Sequence, residues 1–227
     1  MLVFVAAEAR EFSGLLRHTD SSSKLDWPVS FARRATLGGK TILLVANGPG
    51  PKLAAGAVDA ALEHGEVDGL VSIGFCGALD PALAPLDIFV ATEVLGAGPA
   101  LPPAASNRPY RSGKLLSIDR VVSTASEKAE LLKTGAGAVE MEAAVLAKRT
   151  QDANIPFYVI KVVTDAANES FPLDFNHVRD AEGRFDRGRI LLAALRKPRI
   201  FPALLQLNRR CNDAAEVLGD FLADARF

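Results

Sequence analysis

The side chains best suited to chemistry are four carboxylates, Glu11, Glu140, Glu142 and Asp165, each beside a turn or at the end of an apolar run. Carboxylates so placed transfer protons, hold hydroxyls or steady positive charge. Glu140 and Glu142 flank Met141 after Thr134-Gly135-Ala136-Gly137, where Val139, Val145 and Leu146 predict the start of a helix continuing through Ala143–Gln151. Two acids in a first helical turn ordinarily complement the helix dipole. Residues two apart on a helix, however, point about 200° apart, so only one of the pair can share the apolar face and the other must meet water or a ligand. Asp165 follows Thr164 at the exit of the β-branched run Ile155–Val163. There it either caps the next turn or serves a site. Glu11 comes just after the apolar run Leu2–Ala6, at the strand end where open α/β sheets bind ligands, although a solvated acid is the plain alternative.

These residues need elements to hold them. Leu2–Ala6, Lys40–Ala46, Leu70–Ile73, Asp87–Val94 and Ile155–Val163 read as strands, mostly covered on both faces, with Val29–Ala35 and Ser117–Ser123 as further strands. Helical patterns cover Glu8–Leu16, the alanine-rich Lys52–His64, Glu127–Lys133, Ile190–Leu195 and Phe201–Phe221, with Pro198 and Pro202 breaking the last two pieces. Strands interleaved with helices define an α/β protein. His18–Asp26, Gly96–Arg111 and Asn168–Arg187 show no period and read as loops, the second placed as a lid over the site. His177 in the third loop, and Arg209 with Arg210 beyond it, read as surface residues.

Two glycine-bearing stretches follow strands. Asn47-Gly48-Pro49-Gly50-Pro51 joins a strand to a helix, where free amides make an anion or ribose-phosphate cradle, or where glycine merely serves a tight connection. Gly74-Phe75-Cys76-Gly77-Ala78-Leu79 puts small residues past the end of Leu70–Ile73, either to admit a ligand to the backbone or to turn beneath a helix.

The 227 residues are 49% hydrophobic and 23% charged, which fits one α/β domain spanning 1–227. A net charge of −1 without dense Lys/Arg blocks sets nucleic acid aside as a partner. Cys76 and Cys211 are far apart, match no metal-ligand spacing and sit in apolar surroundings, as in a reducing compartment. Met1–Ala7 lacks a basic leader region and no apolar run is long enough to span a membrane, so a cytoplasmic location is expected.

Taken together, the start Val3-Phe4-Val5-Ala6-Ala7 with Glu11, then Asn47-Gly48-Pro49-Gly50, Ser72–Leu79, Leu86–Val94, Ala138-Val139-Glu140-Met141-Glu142 and Val162-Val163-Thr164-Asp165 resemble the purine nucleoside phosphorylase type of nucleoside phosphorylases and nucleosidases, which includes methylthioadenosine/S-adenosylhomocysteine nucleosidase. The resemblance covers nearly the whole chain and implies a three-layer α/β/α fold with a mixed central sheet, needing neither metal nor organic cofactor. It implies that Asp165 donates or shares a proton at purine N7; Lys161, on the same strand face by two-residue alternation, is read from the sequence as tuning it. It implies that Glu142 holds the ribose hydroxyls, Met141 packs beneath the sugar, Glu140 supports them and Glu11 positions the attacking water. Gly48, Gly74 and Gly77 would line the pocket that receives water or phosphate, with Phe75, Cys76 and Thr164 as further substrate contacts.

There are departures. The stretch between Val94 and Ala138 is short and lacks the base-stacking aromatic of the methylthioadenosine enzymes, and Phe75 stands where a small polar residue is common. No arginine stands next to a glycine turn to grip phosphate, Arg10 and Arg34 being the only nearby candidates, which favours hydrolysis over phosphorolysis. The segments Pro198–Leu207, Ala214–Leu222 and Ser123–Lys128 resemble a hopanoid-associated branch thought to release adenine from adenosylhopane, while futalosine hydrolase is another relative. The expected partners are thus a 5'-substituted purine nucleoside and water or phosphate, in a homodimer by family analogy. A phosphate-dependent phosphorylase and a non-catalytic nucleoside-binding protein are the rival readings.

Overall fold

The computed structural model describes residues 1–180 and 182–227. In chain order its strands are β1 (Leu2–Ala6), β2 (Ser21–Lys24), β3 (Phe31–Leu37), β4 (Lys40–Ala46), β5 (Gly69–Ala78), β6 (Ile88–Val94), β7 (Gly98–Pro99), β8 (Arg111–Ser117), β9 (Ala138–Glu140) and β10 (Phe157–Asp165). The helices are α1 (Ser13–Arg17), α2 (Pro51–His64), α3 (Ala125–Leu132), α4 (Ala143–Ala153), α5 (Arg187–Arg196) and α6 (Phe201–Asp224), with short 3-10 turns at Ala9–Phe12, Phe175–Val178 and Pro198–Ile200.

The sheet is mixed. β1 runs parallel to both β4 and β5, β5 parallel to β10, and β3 antiparallel to β4. β10 pairs on its other edge with β6, which continues through β8 and β9 back to β5, so five strands close on themselves while β1, β4, β3 and β2 extend from one side. Alternation along the strands sorts side chains into two cores. Val3, Val5, Leu43 and Val45 pack with Ala54, Ala57 and Val58 of α2 and Leu146 of α4. Phe4, Leu44, Val71 and Ile73 pack on the opposite face with Leu15 of α1 and Leu218 and Phe221 of α6. Helices on both faces of a mixed sheet give the expected three layers.

Several local expectations are corrected. His18–Asp26 contains β2, an exposed edge strand whose serines pair with β3. The strand expected at Ser117–Ser123 lies earlier, at Arg111–Ser117, because the parallel ladder to β6 recruits Arg111–Leu115. The Gly96–Arg111 segment is no lid. Leu101 bridges Tyr158, and Ala105 and Asn107 are tied to Arg226 and Asp224 at the C-terminus, away from the cavity described below. Glycine-rich Gly74–Ala78 belongs to the ten-residue strand β5 instead of following it. Ala138–Glu140 is a short strand, not the first turn of a helix, and α4 begins only at Ala143. Of the irregular segment Asn168–Arg187, Ala181 lies outside the described residues.

Candidate active site

The carboxyl ends of β1, β5, β9 and β10 converge on a cavity of about 590 Å³, and Glu11, Glu140, Glu142 and Asp165 all line it. Phe75, Cys76, Gly77, Met141 and Thr164 line it too, whereas Gly48 and Gly74 are not among the lining residues. Gly74 acts from behind. It holds φ +126°, and a Cβ there would stand 3.1 Å from the Glu11 carboxyl, so only glycine leaves that acid its place. Gly77 does the same for Asp165, whose Oδ2 would lie 2.8 Å from an added Cβ.

The Glu140-Met141-Glu142 pair divides its labour. Glu140 accepts from the Glu142 and Ala143 amides at 3.0 and 2.9 Å, so it is the acid that caps α4. Its Oε2 also lies 3.0 Å from Lys161 Nζ, and Lys161 donates to the Ile73 carbonyl. Burial pushes the Glu140 carboxyl up, but the Lys161 charge and these hydrogen bonds outweigh it and hold it below the usual carboxylate range. Glu142 has no such set of donors. Its Oε1 takes the Gly50 amide at 2.7 Å, and burial followed by the Glu140 charge pushes its pKa up to about 8. The Gly50 amide is therefore already given to a carboxylate, and the free anion cradle read from Asn47–Pro51 is corrected accordingly.

Glu11 Oε2 accepts from the Ala7 and Glu8 amides at 2.8 and 3.1 Å; burial dominates nonetheless and raises its pKa to about 7. Asp165 lies beside Thr164, whose hydroxyl is 2.8 Å from Oδ1 and 3.3 Å from the Cys76 carbonyl. Lys128 Nζ sits 2.5 Å from Oδ2 and also donates to the Ala166 carbonyl. Burial raises the Asp165 carboxyl above its ordinary value against the pull of Lys128. Lys161, expected to tune Asp165, is instead the partner of Glu140; an irregularity in β10 between Val163 and Asp165 breaks the alternation on which that expectation rested.

Lys128 was missed because a single lysine in a short polar helix carries no signal of burial, yet it is almost fully enclosed. Aromatic side chains do reach the cavity, from a stretch other than Val94–Ala138. Phe171, Phe175 and Phe185 form an edge-to-face cluster on the cavity wall, with centroids 5.4 and 6.0 Å apart. Three phenylalanines in an otherwise polar loop were the available clue. Asn176 clamps Val121 by its amide and carbonyl, fixing the Arg120–Val122 stretch against the cavity. Of the arginines expected near phosphate, Arg34 is exposed on β3, and Arg10 stacks over Phe75 and pairs with Glu8. Arg120 on the cavity wall pairs with Glu127. An unforeseen Arg179 stands beside Gly50, its guanidinium bonded to Asp119 and to the Gly183 carbonyl. Arg210 is likewise no solvated residue, since it binds Glu169 and the Thr164 carbonyl. His177 is exposed and paired with Asp174.

Buried carboxyls held above their ordinary pKa can pass a proton to a ligand, and carboxyls beside them can hold its hydroxyls. The same fold is found in solved nucleosidases. The 5'-methylthioadenosine/S-adenosyl homocysteine nucleosidase of Campylobacter jejuni superposes with a TM-score of 0.71 at 15% identity, over 98% of this chain and 96% of that one. The Neisseria meningitidis enzyme, in complex with methylthio-immucillin-A, gives 0.71 at 21% identity over 98% and 96%. A futalosine hydrolase mutant of Helicobacter pylori gives 0.66 at 16% over 98% and 96%. A sequence profile of the phosphorylase superfamily matches residues 29–103 and 101–196, and the chain belongs to that superfamily of enzymes.

Proposed function

We propose that this protein is a purine nucleosidase that hydrolyses the N-glycosidic bond of a 5'-substituted adenosine. The observation that carries the reading is the meeting, in one cavity, of an Asp165 backed by an ammonium and a Glu142 kept short of donors. Breaking the bond leaves negative charge on the base and positive charge on the sugar, so a site must serve both ends. At the base end Asp165 shares its proton with N7, and the Lys128 ammonium steadies the carboxylate that results. At the sugar end Glu142 holds the ribose hydroxyls. With its pKa raised to about 8 it can both donate to and accept from those hydroxyls, beside the ring on which positive charge grows. Glu11, with a pKa near 7, orients the water.

Hydrolysis is preferred to phosphorolysis because Arg10 and Arg120 on the wall are ion-paired and the Gly50 amide is occupied by Glu142. The 5' group is apolar in this reading, with adenosylhopane the specific candidate, since Ile190, Leu204 and Leu207 give the cavity an apolar side. The functional unit is a homodimer, in line with the family resemblance. The test is chromatography of products from a panel of 5'-substituted adenosines, with and without phosphate. Free adenine and a reducing sugar without phosphate are expected; ribose 1-phosphate formed only with phosphate would replace the reading by phosphorolysis, and tight binding without any product by a non-catalytic role.

A further inference from the structure

From Arg187 to Asn212 the chain carries Arg187, Arg189, Arg196, Lys197, Arg199, Arg209 and Arg210 and not one Asp or Glu, although the whole chain balances 26 bases against 27 acids. The same segment exposes Leu191, Leu192, Leu195, Phe201 and Leu205 on α5 and the start of α6, with Leu195 70% and Leu191 55% accessible. Among the described residues, Leu101 and Tyr110 are the other large apolar side chains so open. Arg189 and Arg210 are tied to Asp186 and Glu169, while Arg196, Lys197 and Arg199 are exposed and have no ion-pair partner among the described residues. Charge averaged over the chain conceals this segment.

An ordinary solvated face does not gather its large apolar side chains in one place, and a buried seam does not ring them with unpaired cations. A wedge of Leu and Phe flanked by Arg and Lys suits a helix lying in a lipid headgroup layer, its apolar side chains entering the acyl boundary and its cations meeting phosphates. We propose that α5 and the first turns of α6 dock this protein on an anionic lipid surface. The main rival occupant is a second copy of the chain. A two-fold contact, however, sets the same patch against itself and brings Arg196, Lys197 and Arg199 toward their own copies. Nucleic acid would meet the cations but leave the leucines in water. The same two helices give Ile190, Leu204 and Leu207 to the cavity wall, so this arm lines the site with some residues and meets the bilayer with others.

The docking needs no turnover and stands or falls apart from the nucleosidase reading. Its test is co-sedimentation of the full chain with phosphatidylcholine vesicles and with mixed phosphatidylcholine–phosphatidylglycerol vesicles, at low and at high salt. Binding to the anionic vesicles, at least about tenfold weaker on neutral ones and largely released by salt, is expected. The variant Arg196→Glu/Lys197→Glu/Arg199→Glu should lose anionic binding by more than about tenfold. Leu191→Gln/Leu195→Gln should weaken it as well, with unchanged circular dichroism in both variants. Equal pelleting by both vesicle types, none by either, or wild-type binding of the charge-reversed variant would overturn the proposal. So would a dimer that the leucine variant converts to monomer in ultracentrifugation while vesicles bind neither form.

Discussion

Two buried lysine–carboxylate pairs stand at the carboxyl edge of the sheet, Lys161 with Glu140 and Lys128 with Asp165, and their acids shift in opposite directions. Burial is the largest influence on both. What differs is the count of donors: Glu140 receives two backbone amides besides its lysine, whereas Asp165 receives Lys128 and a hydroxyl. A carboxylate wrapped in fixed donors is committed to its charge and to the helix it caps. One left a single strong partner can exchange its proton with a ligand, which is what the proposed chemistry asks of Asp165.

The comparison can be broken by removing each partner. Lys161→Met leaves the Glu140 charge uncompensated among amides that a protonated carboxyl would serve poorly, and should cost about 3–5 kcal/mol in denaturant unfolding. Next comes the pH dependence of stability. Glu11 and Glu142 have folded pKa values near 7 and 8 against an ordinary 4.5, so the folded state keeps protons that the unfolded chain releases. Their contribution is complete below about pH 4.5 and is lost as pH rises through about 8, a fall of roughly a few kcal/mol. Glu142→Gln should flatten that fall; a wild-type slope retained by the variant would remove Glu142 as its source. Lys128→Met should cost less than Lys161→Met, about 1–2 kcal/mol, because Asp165 can take up a proton when its partner goes. The same variant should move the limb of the kcat profile on which Asp165 loses its proton to higher pH. At the small end, His177→Ala should change stability by less than about 0.5 kcal/mol, since its pairing with Asp174 is exposed.

The sequence already showed the α/β class and most elements, because apolar runs such as Leu2–Ala6 and Lys40–Ala46 and the alanine-rich α2 declare themselves locally. It was misleading where neighbours decide. β8 forms at Arg111–Ser117 since β6 offers it a ladder, and Ala138–Glu140 becomes a strand since β5 and β8 pair with it. The four acids were legible as residues, and the structure brings them to one cavity. Their partners were not, because which lysine meets which carboxylate depends on a break in the β10 ladder and on a helix more than thirty positions away in sequence. The glycines are the instructive middle case: both make room for carboxyls, Gly77 while lining the cavity as expected and Gly74 from behind it.

The central claim is that Asp165 carries the proton to the base. It is tested most directly by Asp165→Asn, measured for adenine release and, separately, for binding of the same 5'-substituted adenosine by calorimetry. Turnover should fall by about 10²–10⁴-fold while the dissociation constant changes little. Turnover equal to wild type, with binding intact, would contradict the account.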